Sequence, residues 1–99
     1  MLSKEEILDI IVSHKDEIRE YGVKNIGIFG SFARNTYQKN SDIDTLVEFR
    51  KGSKTFDNYM ELKFYLERIL GRDVDLVIKG VVKKELKPYI LKEIEYARL

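Results

Sequence analysis

Gly30-Ser31-Phe32-Ala33-Arg34-Asn35-Thr36-Tyr37-Gln38-Lys39-Asn40-Ser41-Asp42-Ile43-Asp44 is the stretch that most directly indicates the fold of this 99-residue chain. A short apolar run precedes it, a Gly-Ser turn opens it, and two aspartates separated by one residue close it. Glycine allows backbone amides to approach a phosphate, and a helical turn that begins at Ser31 would direct free amides towards it. The stretch therefore indicates a phosphate-binding turn that faces two metal-binding carboxylates.

The composition limits the kinds of site that the chain can form. Residues 1–99 are enough for one domain. There is no cysteine and only one histidine, so a metal ion would need oxygen ligands, which favours magnesium or manganese. The net charge of +1 argues against binding of long nucleic acid. The sequence has no apolar run of membrane-spanning length, and we expect a cytoplasmic protein without a membrane association.

The N-terminal segment has the pattern of an amphipathic helix. Ser3 and Glu6 form a capping-box sequence, and isoleucines then recur at steps of three and four residues. We expect this helix to run to about Glu20 and to stop at Gly22. His14 lies in the apolar stripe, and we interpret it as a packing residue rather than as a base or a metal ligand.

Three segments, residues 23–29, 42–50 and 72–79, have the length and the bounding residues of strands. Side chains of a strand alternate between its two faces. In the second segment, Asp42 and Asp44 therefore share one face, opposite a mostly apolar face. The third segment repeats this asymmetry with Asp73 and Asp75. Glu48 lies on the face of Asp44 but roughly 13 Å further along the strand, too far to share a metal ion.

Two helices complete the predicted fold. Residues 56–70, capped by Ser53 or Thr55, carry apolar side chains over more than half of the helix circumference, which predicts either a helix wedged in the core or one that also meets a partner. Residues 83–99 are predicted to be helical, with Pro88 as a kink or a new start and a stripe of Ile90, Ile94 and Ala97. The expected architecture is α+β with α/β alternation: a mixed three-stranded sheet with flanking helices in the order α-β-α-β-α-β-α.

Carboxylates on one face of a sheet repel each other unless a cation lies between them. Two divalent ions, ~3.5–4 Å apart, are the arrangement that supports phosphoryl and nucleotidyl transfer. Asp42 and Asp44 would supply two ligands, and a third would come from the neighbouring strand. Spacing does not distinguish Asp73 from Asp75, because both lie on one face. As simpler alternatives, Asp42 could cap a turn, and Asp73 or Asp75 could pair with Arg72.

The combination of Gly30-Ser31-Phe32-Ala33-Arg34, Ser41-Asp42-Ile43-Asp44 and Val74-Asp75-Leu76-Val77 resembles the minimal nucleotidyltransferase (MNT) family of the DNA polymerase β-like nucleotidyltransferase superfamily. The resemblance covers nearly the whole chain and implies the nucleotidyltransferase fold. It also implies that Gly30 and Ser31 hold the triphosphate of a nucleotide, and that Asp42 and Asp44 bind two metal ions. Asp75, preferred to Asp73 on this match, would be the third metal ligand and accept a proton.

The family pattern also bears on three further positions. Arg34 matches its usual arginine and would contact phosphate, although a hydrogen bond to the polar loop is an equal alternative. Asn35 replaces a glycine, and asparagine tolerates a left-handed backbone. Thr45 replaces a leucine on the buried face. Neither replacement removes a carboxylate, so neither indicates an inactive enzyme.

The resemblance further implies a function. Family members of this size transfer AMP from ATP, with two Mg²⁺ ions or with Mn²⁺, to a tyrosine of a HEPN-type toxin and so act as antitoxins. We expect no second substrate-binding domain in a chain of this length, and we expect acceptor recognition to come from this partner or from a second copy in a homo-oligomer. Two alternatives remain: a module that neutralises its partner by masking it, and nucleotidyl transfer to a small molecule or RNA.

Overall fold

The computed structural model describes residues 2–99 and begins with two short helices, α1 (Lys4–Ser13) and α2 (Lys15–Glu20). The predicted capping box is confirmed, because the Glu6 amide donates to the Ser3 hydroxyl over 3.1 Å and the Ser3 amide donates to Glu6 over 3.2 Å. The predicted single helix to Glu20 is wrong. The helix is interrupted at His14. The side chains of Ser13 and His14 both contact the Ile10 carbonyl and take the place of the backbone amide that would bind this carbonyl in a continuous helix. His14 is partly buried with its ring edge-on to Tyr65, a packing position.

The sheet has four strands, β1 (Val23–Phe29), β2 (Ile43–Phe49), β3 (Val74–Ile78) and β4 (Glu95–Tyr96), in the order β3-β2-β1-β4. The β2–β3 pair is parallel and the other two pairs are antiparallel, so the sheet is mixed. The three predicted strands are confirmed, and the α+β class is confirmed with one more strand than expected. Asp42 lies immediately before β2 rather than inside it.

The extra strand overturns the prediction of a helix to Leu99. The last helix, here α5 (Lys87–Glu93), ends where Ile94 becomes extended with ψ 138°. The chain then pairs with β1, and the Ala97 amide donates to the Ile26 carbonyl over 2.9 Å. The open edge of β1 offers backbone hydrogen bonds that a helix at this position would leave unmade. Pro88 stands in the first turn of α5, as predicted for a fresh helix start.

Two further helices flank the sheet. α3 (Gly30–Arg34) follows β1, and a single 3-10 turn (Lys79–Val81) follows β3. α4 (Phe56–Leu70) is capped by Thr55, which accepts the Asn58 amide, and ends at Gly71 in the left-handed conformation. Among residues 2–99 there is no helix with the length and apolar character needed to cross a membrane.

The core lies on the face of the sheet that α1, α2 and α4 cover. On β2, side chains alternate as predicted, with Thr45 and its apolar neighbours fully or largely buried and Asp44 and Glu48 only half-buried on the other face. The Asp44 side therefore stays accessible where β1 and β2 meet α3. The core cluster contains Ile7, Ile11, Ile18, Val23, Ile26, Ile28, Phe32, Ile43, Val47, Phe49, Leu62, Tyr65, Leu66, Leu70, Val74 and Leu76.

Candidate active site

The turn between β1 and α3 has the geometry that the Gly-Ser sequence predicts. Gly30 is buried with φ 72°, a left-handed conformation that favours glycine. α3 then makes one helical turn and ends at Asn35, the single described non-glycine residue with positive φ (59°). Asparagine tolerates this left-handed conformation, as predicted. The Thr36 amide donates to the Ser31 carbonyl over 2.9 Å and closes the turn.

Gly30 also makes room for Asp44. Phe29 pairs with Asp44 across β1 and β2, so the carboxylate lies beside the start of α3. A Cβ atom at Gly30 would be 2.9 Å from Asp44 Cγ and closer still to Oδ2. This contact is a second reason for glycine, besides the close approach of a phosphate, and it joins the predicted turn to the predicted carboxylates.

The register of the parallel pair β2–β3 places Asp44 directly beside Asp75. Neighbouring strands lie about 4.8 Å apart, so these two side chains stand together on one face. Asp42 precedes β2 by one residue and lies near the same strand ends. Asp42 and Asp75 are exposed, whereas Asp44 is half-buried between them and Gly30.

The pKa of Asp44 reflects both its burial and the nearness of the other two carboxylates. Burial, followed by the charges of Asp75 and Asp42, raises the pKa of Asp44 from 3.8 to about 6. The guanidinium of Arg34 opposes this increase, and the charge of Glu93 adds to it. A group under this repulsion is stabilised by a cation placed between the carboxylates.

Asp73, the other carboxylate of the third predicted strand, has a different place. It precedes β3, and its carbonyl accepts the Ile43 amide over 3.0 Å. The pKa of Lys63 on α4 is raised chiefly by its hydrogen bond to Glu67, and the charge of Asp73 contributes to this increase. Asp73 is absent from the charges that shift the pKa of Asp44. The geometry therefore favours Asp75 as the companion of Asp44.

The predicted alternative of an ion pair with Arg72 is wrong. Arg72 makes no salt bridge with any of the residues 2–99 and instead donates to the backbone carbonyls of Gln38, Lys39 and Ser41. Neither Asp73 nor Asp75 is therefore neutralised by Arg72. Asp75 stays available for a cation.

The residues fit an open site for a divalent ion rather than a closed one. Within the described residues, no set of three or more His, Cys, Asp or Glu side chains is gathered closely enough to hold a metal ion alone. Magnesium usually takes one or two carboxylates and completes its shell with water and substrate phosphates. Asp42, Asp44 and Asp75 offer oxygen ligands of this kind on one edge, and a cation there would favour the ionised form of Asp44, whose pKa is raised to about 6.

Glu93 contacts the candidate site, although the sequence pattern did not reveal it. Its carboxylate accepts the Gly30 amide over 2.9 Å and binds Arg34 Nη1 through both oxygens, over 3.0 and 2.8 Å. Arg34 therefore pairs with α5, not with the polar loop. The Arg34 side chain is 53% exposed and that of Glu93 23%, so one side of the guanidinium still meets solvent. Finding Glu93 required the contact between α3 and α5, of which the local sequence carries no pattern.

Comparison with known proteins identifies the family. The nucleotidyltransferase domain family matches residues 11–99. The protein adenylyltransferase MntA of Thermococcus cleftensis is 42% identical over 97 residues, which are 97% of each chain. A solved structure assigned as a minimal nucleotidyltransferase superposes with a TM-score of 0.81 at 29% identity and covers 95% of each chain.

The fold also occurs in a toxin–antitoxin complex. The structure of a tri-AMPylated Shewanella oneidensis HEPN toxin with its MNT antitoxin gives a TM-score of 0.65 at 20% identity, over 92% of this chain and 71% of the other. At this identity the likeness shows a shared fold. With the family match over residues 11–99 and the full-length identity to MntA, the chain belongs to the nucleotidyltransferase domain family and, within it, to the minimal nucleotidyltransferase enzymes.

Proposed function

We propose that this chain is a Mg²⁺-dependent protein adenylyltransferase that transfers AMP from ATP to a tyrosine hydroxyl of a HEPN-type toxin and thereby acts as its antitoxin. The observation that carries the proposal is the pairing of Asp44 with Asp75 across β2 and β3, with Asp42 beside them and the pKa of Asp44 raised to about 6. This edge lies next to the left-handed Gly30 turn, where a triphosphate would be held.

The reaction is a displacement at the α-phosphorus of ATP. The acceptor oxygen forms a bond to this phosphorus, and the bond to the oxygen that bridges the α- and β-phosphates breaks, so that pyrophosphate leaves. Bound magnesium would neutralise the phosphates and lower the pKa of the acceptor hydroxyl. Asp42 and Asp44 would hold the cations, and the turn at Gly30 and Ser31 would orient the triphosphate. Asp75, exposed at the same edge, takes the proton of the acceptor hydroxyl.

The acceptor class is supported by the relatives. The MntA relative is named a protein adenylyltransferase, and the toxin in the complex of the same fold carries AMP. The chain also exposes apolar side chains that suit a protein partner, with Phe56 77% and Phe64 56% exposed on α4. These two phenylalanines belong to the wide apolar arc of α4, of which Leu62 and Leu66 are buried.

Masking of the partner without catalysis is the second candidate, because the same exposed arc would support it. The double variant Asp42→Asn with Asp44→Asn separates the two. We expect it to fold as the wild type does, by circular dichroism, and to lose transfer from ATP labelled at the α-phosphate to the copurified partner. Asp9→Asn with Asp16→Asn, two exposed carboxylates on α1 and α2, is the matched control and should keep full transfer.

Neutralisation of the toxin gives the deciding result. If the Asp42/Asp44 variant still neutralises its partner fully, masking is the function and transfer is secondary. If label appears on RNA or on a small molecule and not on the partner protein, the acceptor class is wrong although the enzyme class stands.

A further inference from the structure

Arg72, the second residue before β3, contacts the loop that leads to the carboxylates. Its Nε and Nη2 donate to the Ser41 carbonyl over 3.2 and 2.8 Å, and Nη2 donates to the Lys39 carbonyl over 2.7 Å. A longer contact of 3.4 Å reaches the Gln38 carbonyl. The guanidinium thus binds three carbonyls of the loop, those of Gln38, Lys39 and Ser41, and Asp42 follows directly.

The same guanidinium contacts α3. It lies 5.2 Å from the ring centre of Phe32, a cation–π distance. Phe32 is fully buried and stacks on Tyr37, with ring centres 4.4 Å apart and an interplanar angle of 7°. Arg72 therefore touches the turn that follows Gly30, the loop before Asp42 and the start of the strand that carries Asp75.

The loop has few internal contacts to fix Asp42. Residues 36–42 contain no helix or strand, and a small turn joins Gln38 and Ser41 through two hydrogen bonds of 2.8 and 3.0 Å. Asp42 is exposed, and its negative charge and that of Asp44 repel each other. Ordering such a loop costs backbone conformational entropy at every residue. Contacts from outside the loop can offset this cost, and those of Arg72 lie closest to Asp42 in sequence, at Ser41.

We propose that Arg72 is a positioning residue for the metal site: it fixes residues 38–41 so that Asp42 stays beside Asp44 and Asp75. The proposal rests on the proposed function, because it assigns Asp42 to the cation. Arg72 acts with two nitrogens on several carbonyls and with its planar face on Phe32. A lysine has neither the fork nor the plane, although it keeps the charge. Lysine at this position should therefore lose most of the effect.

The test compares Arg72→Lys and Arg72→Gln with Arg50→Lys. Arg50 is a matched control, because this exposed arginine also donates to a backbone carbonyl, that of Arg19, over 3.3 Å and away from the site. Calorimetric titration of Mn²⁺ in the presence of a non-hydrolysable ATP analogue measures the site without an acceptor. Loss of a residue that holds a metal ligand in place typically lowers metal affinity 10–100-fold. We expect a decrease in Mn²⁺ affinity within this range for both Arg72 variants and no decrease for Arg50→Lys.

Hydrogen exchange supplies the second readout. Amides of residues 38–42 should exchange faster in Arg72→Lys than in the wild type, while those of β2 exchange at the same rate. Wild-type Mn²⁺ affinity in Arg72→Lys overturns the proposal, as does unchanged exchange in the loop. If Arg72→Gln does not fold, Arg72→Lys decides alone. A wild-type chain that binds Mn²⁺ and the analogue but transfers no AMP overturns the proposed function and leaves the positioning role intact.

Discussion

Replacing Asp44 by Asn should stabilise the free protein while it abolishes transfer. The raised pKa of Asp44 means that the folded chain binds this proton more tightly than the unfolded chain. Ionisation of Asp44 therefore destabilises the fold by its full amount above a pH of about 6. This cost decreases as the pH falls from about 6 to 3.8 and is absent below 3.8, where both states are protonated. Asparagine has nearly the same shape and carries no charge, so it removes the cost.

The magnitude follows from the two pKa values. The difference between 3.8 and about 6 corresponds to about 3 kcal/mol at pH 8, since each pKa unit is worth about 1.4 kcal/mol. Asp44 is only half-buried, and screening by solvent reduces this figure to about 1–2 kcal/mol. For a domain of this size, that is a rise in Tm of roughly 5–10 °C. The stabilisation should be nearly absent at pH 4.

Urea denaturation of the free protein at pH 8 and pH 4 measures this effect, with Asp9→Asn as the control for loss of an exposed charge. Addition of Mg²⁺ and a non-hydrolysable ATP analogue should reverse the order, because ligand binding to the folded state stabilises the wild type alone. An Asp44→Asn variant that is less stable than the wild type at pH 8 without ligands would refute the electrostatic account of this cluster.

Three further predictions test the arrangement of the site. Asp75→Asn should lower the initial rate of AMP transfer ~100-fold or more, as expected for a proton acceptor, whereas Asp73→Asn should change it only a few-fold; the reverse order would show that Asp73 is the third carboxylate. Gly30→Ala should lower the free energy of unfolding by about 1–3 kcal/mol in urea, because alanine is strained at φ 72° and meets the neighbouring carboxylate; an unchanged value contradicts this packing. Arg34→Ala and Glu93→Ala should act on ATP KM as one unit, with a coupling of about 0.5–3 kcal/mol in a double-mutant cycle; strictly additive effects would mean that the pair does not hold the turn.

The central part of the fold could be predicted because local pattern and tertiary environment agree there. The glycines at residues 22, 30 and 71 all adopt positive φ at the ends of predicted elements. The alternation in β2 matches the observed burial except at Leu46, which is buried although it shares the face of Asp44, and the cap at Thr55 is present. In these segments, backbone conformation and side-chain burial follow from neighbours in the sequence.

The C-terminal segment could not be predicted in this way. Ile90, Ile94 and Ala97 have helical spacing, but Ile94 and Ala97 instead follow an extended path along the edge of β1. Ile94 packs where Gly27 has no side chain, since a Cβ at Gly27 would be 3.0 Å from Ile94 Cγ1. The hydrogen bonds available at that edge are a tertiary property that no helical periodicity reveals.

The candidate site could be predicted only in part, because some of its contacts join elements that are distant in sequence. Alternation placed Asp42 and Asp44 on one face, but it gave Asp73 and Asp75 equal standing. The parallel register distinguishes them, and a register depends on strand pairing rather than on the composition of one strand. Glu93 joins the site only through the packing of α5 on α3. The local sequence pattern therefore could not predict these contacts between elements that are distant in sequence.

The most direct test of the central claim is the intact mass of a copurified HEPN-type partner after incubation with ATP and Mg²⁺. We predict that the partner gains at least one AMP with the wild-type chain, that the modified residue is a tyrosine, and that the Asp42→Asn/Asp44→Asn variant adds none. A partner that remains unmodified with the wild-type chain, although it is bound and neutralised, would contradict the account.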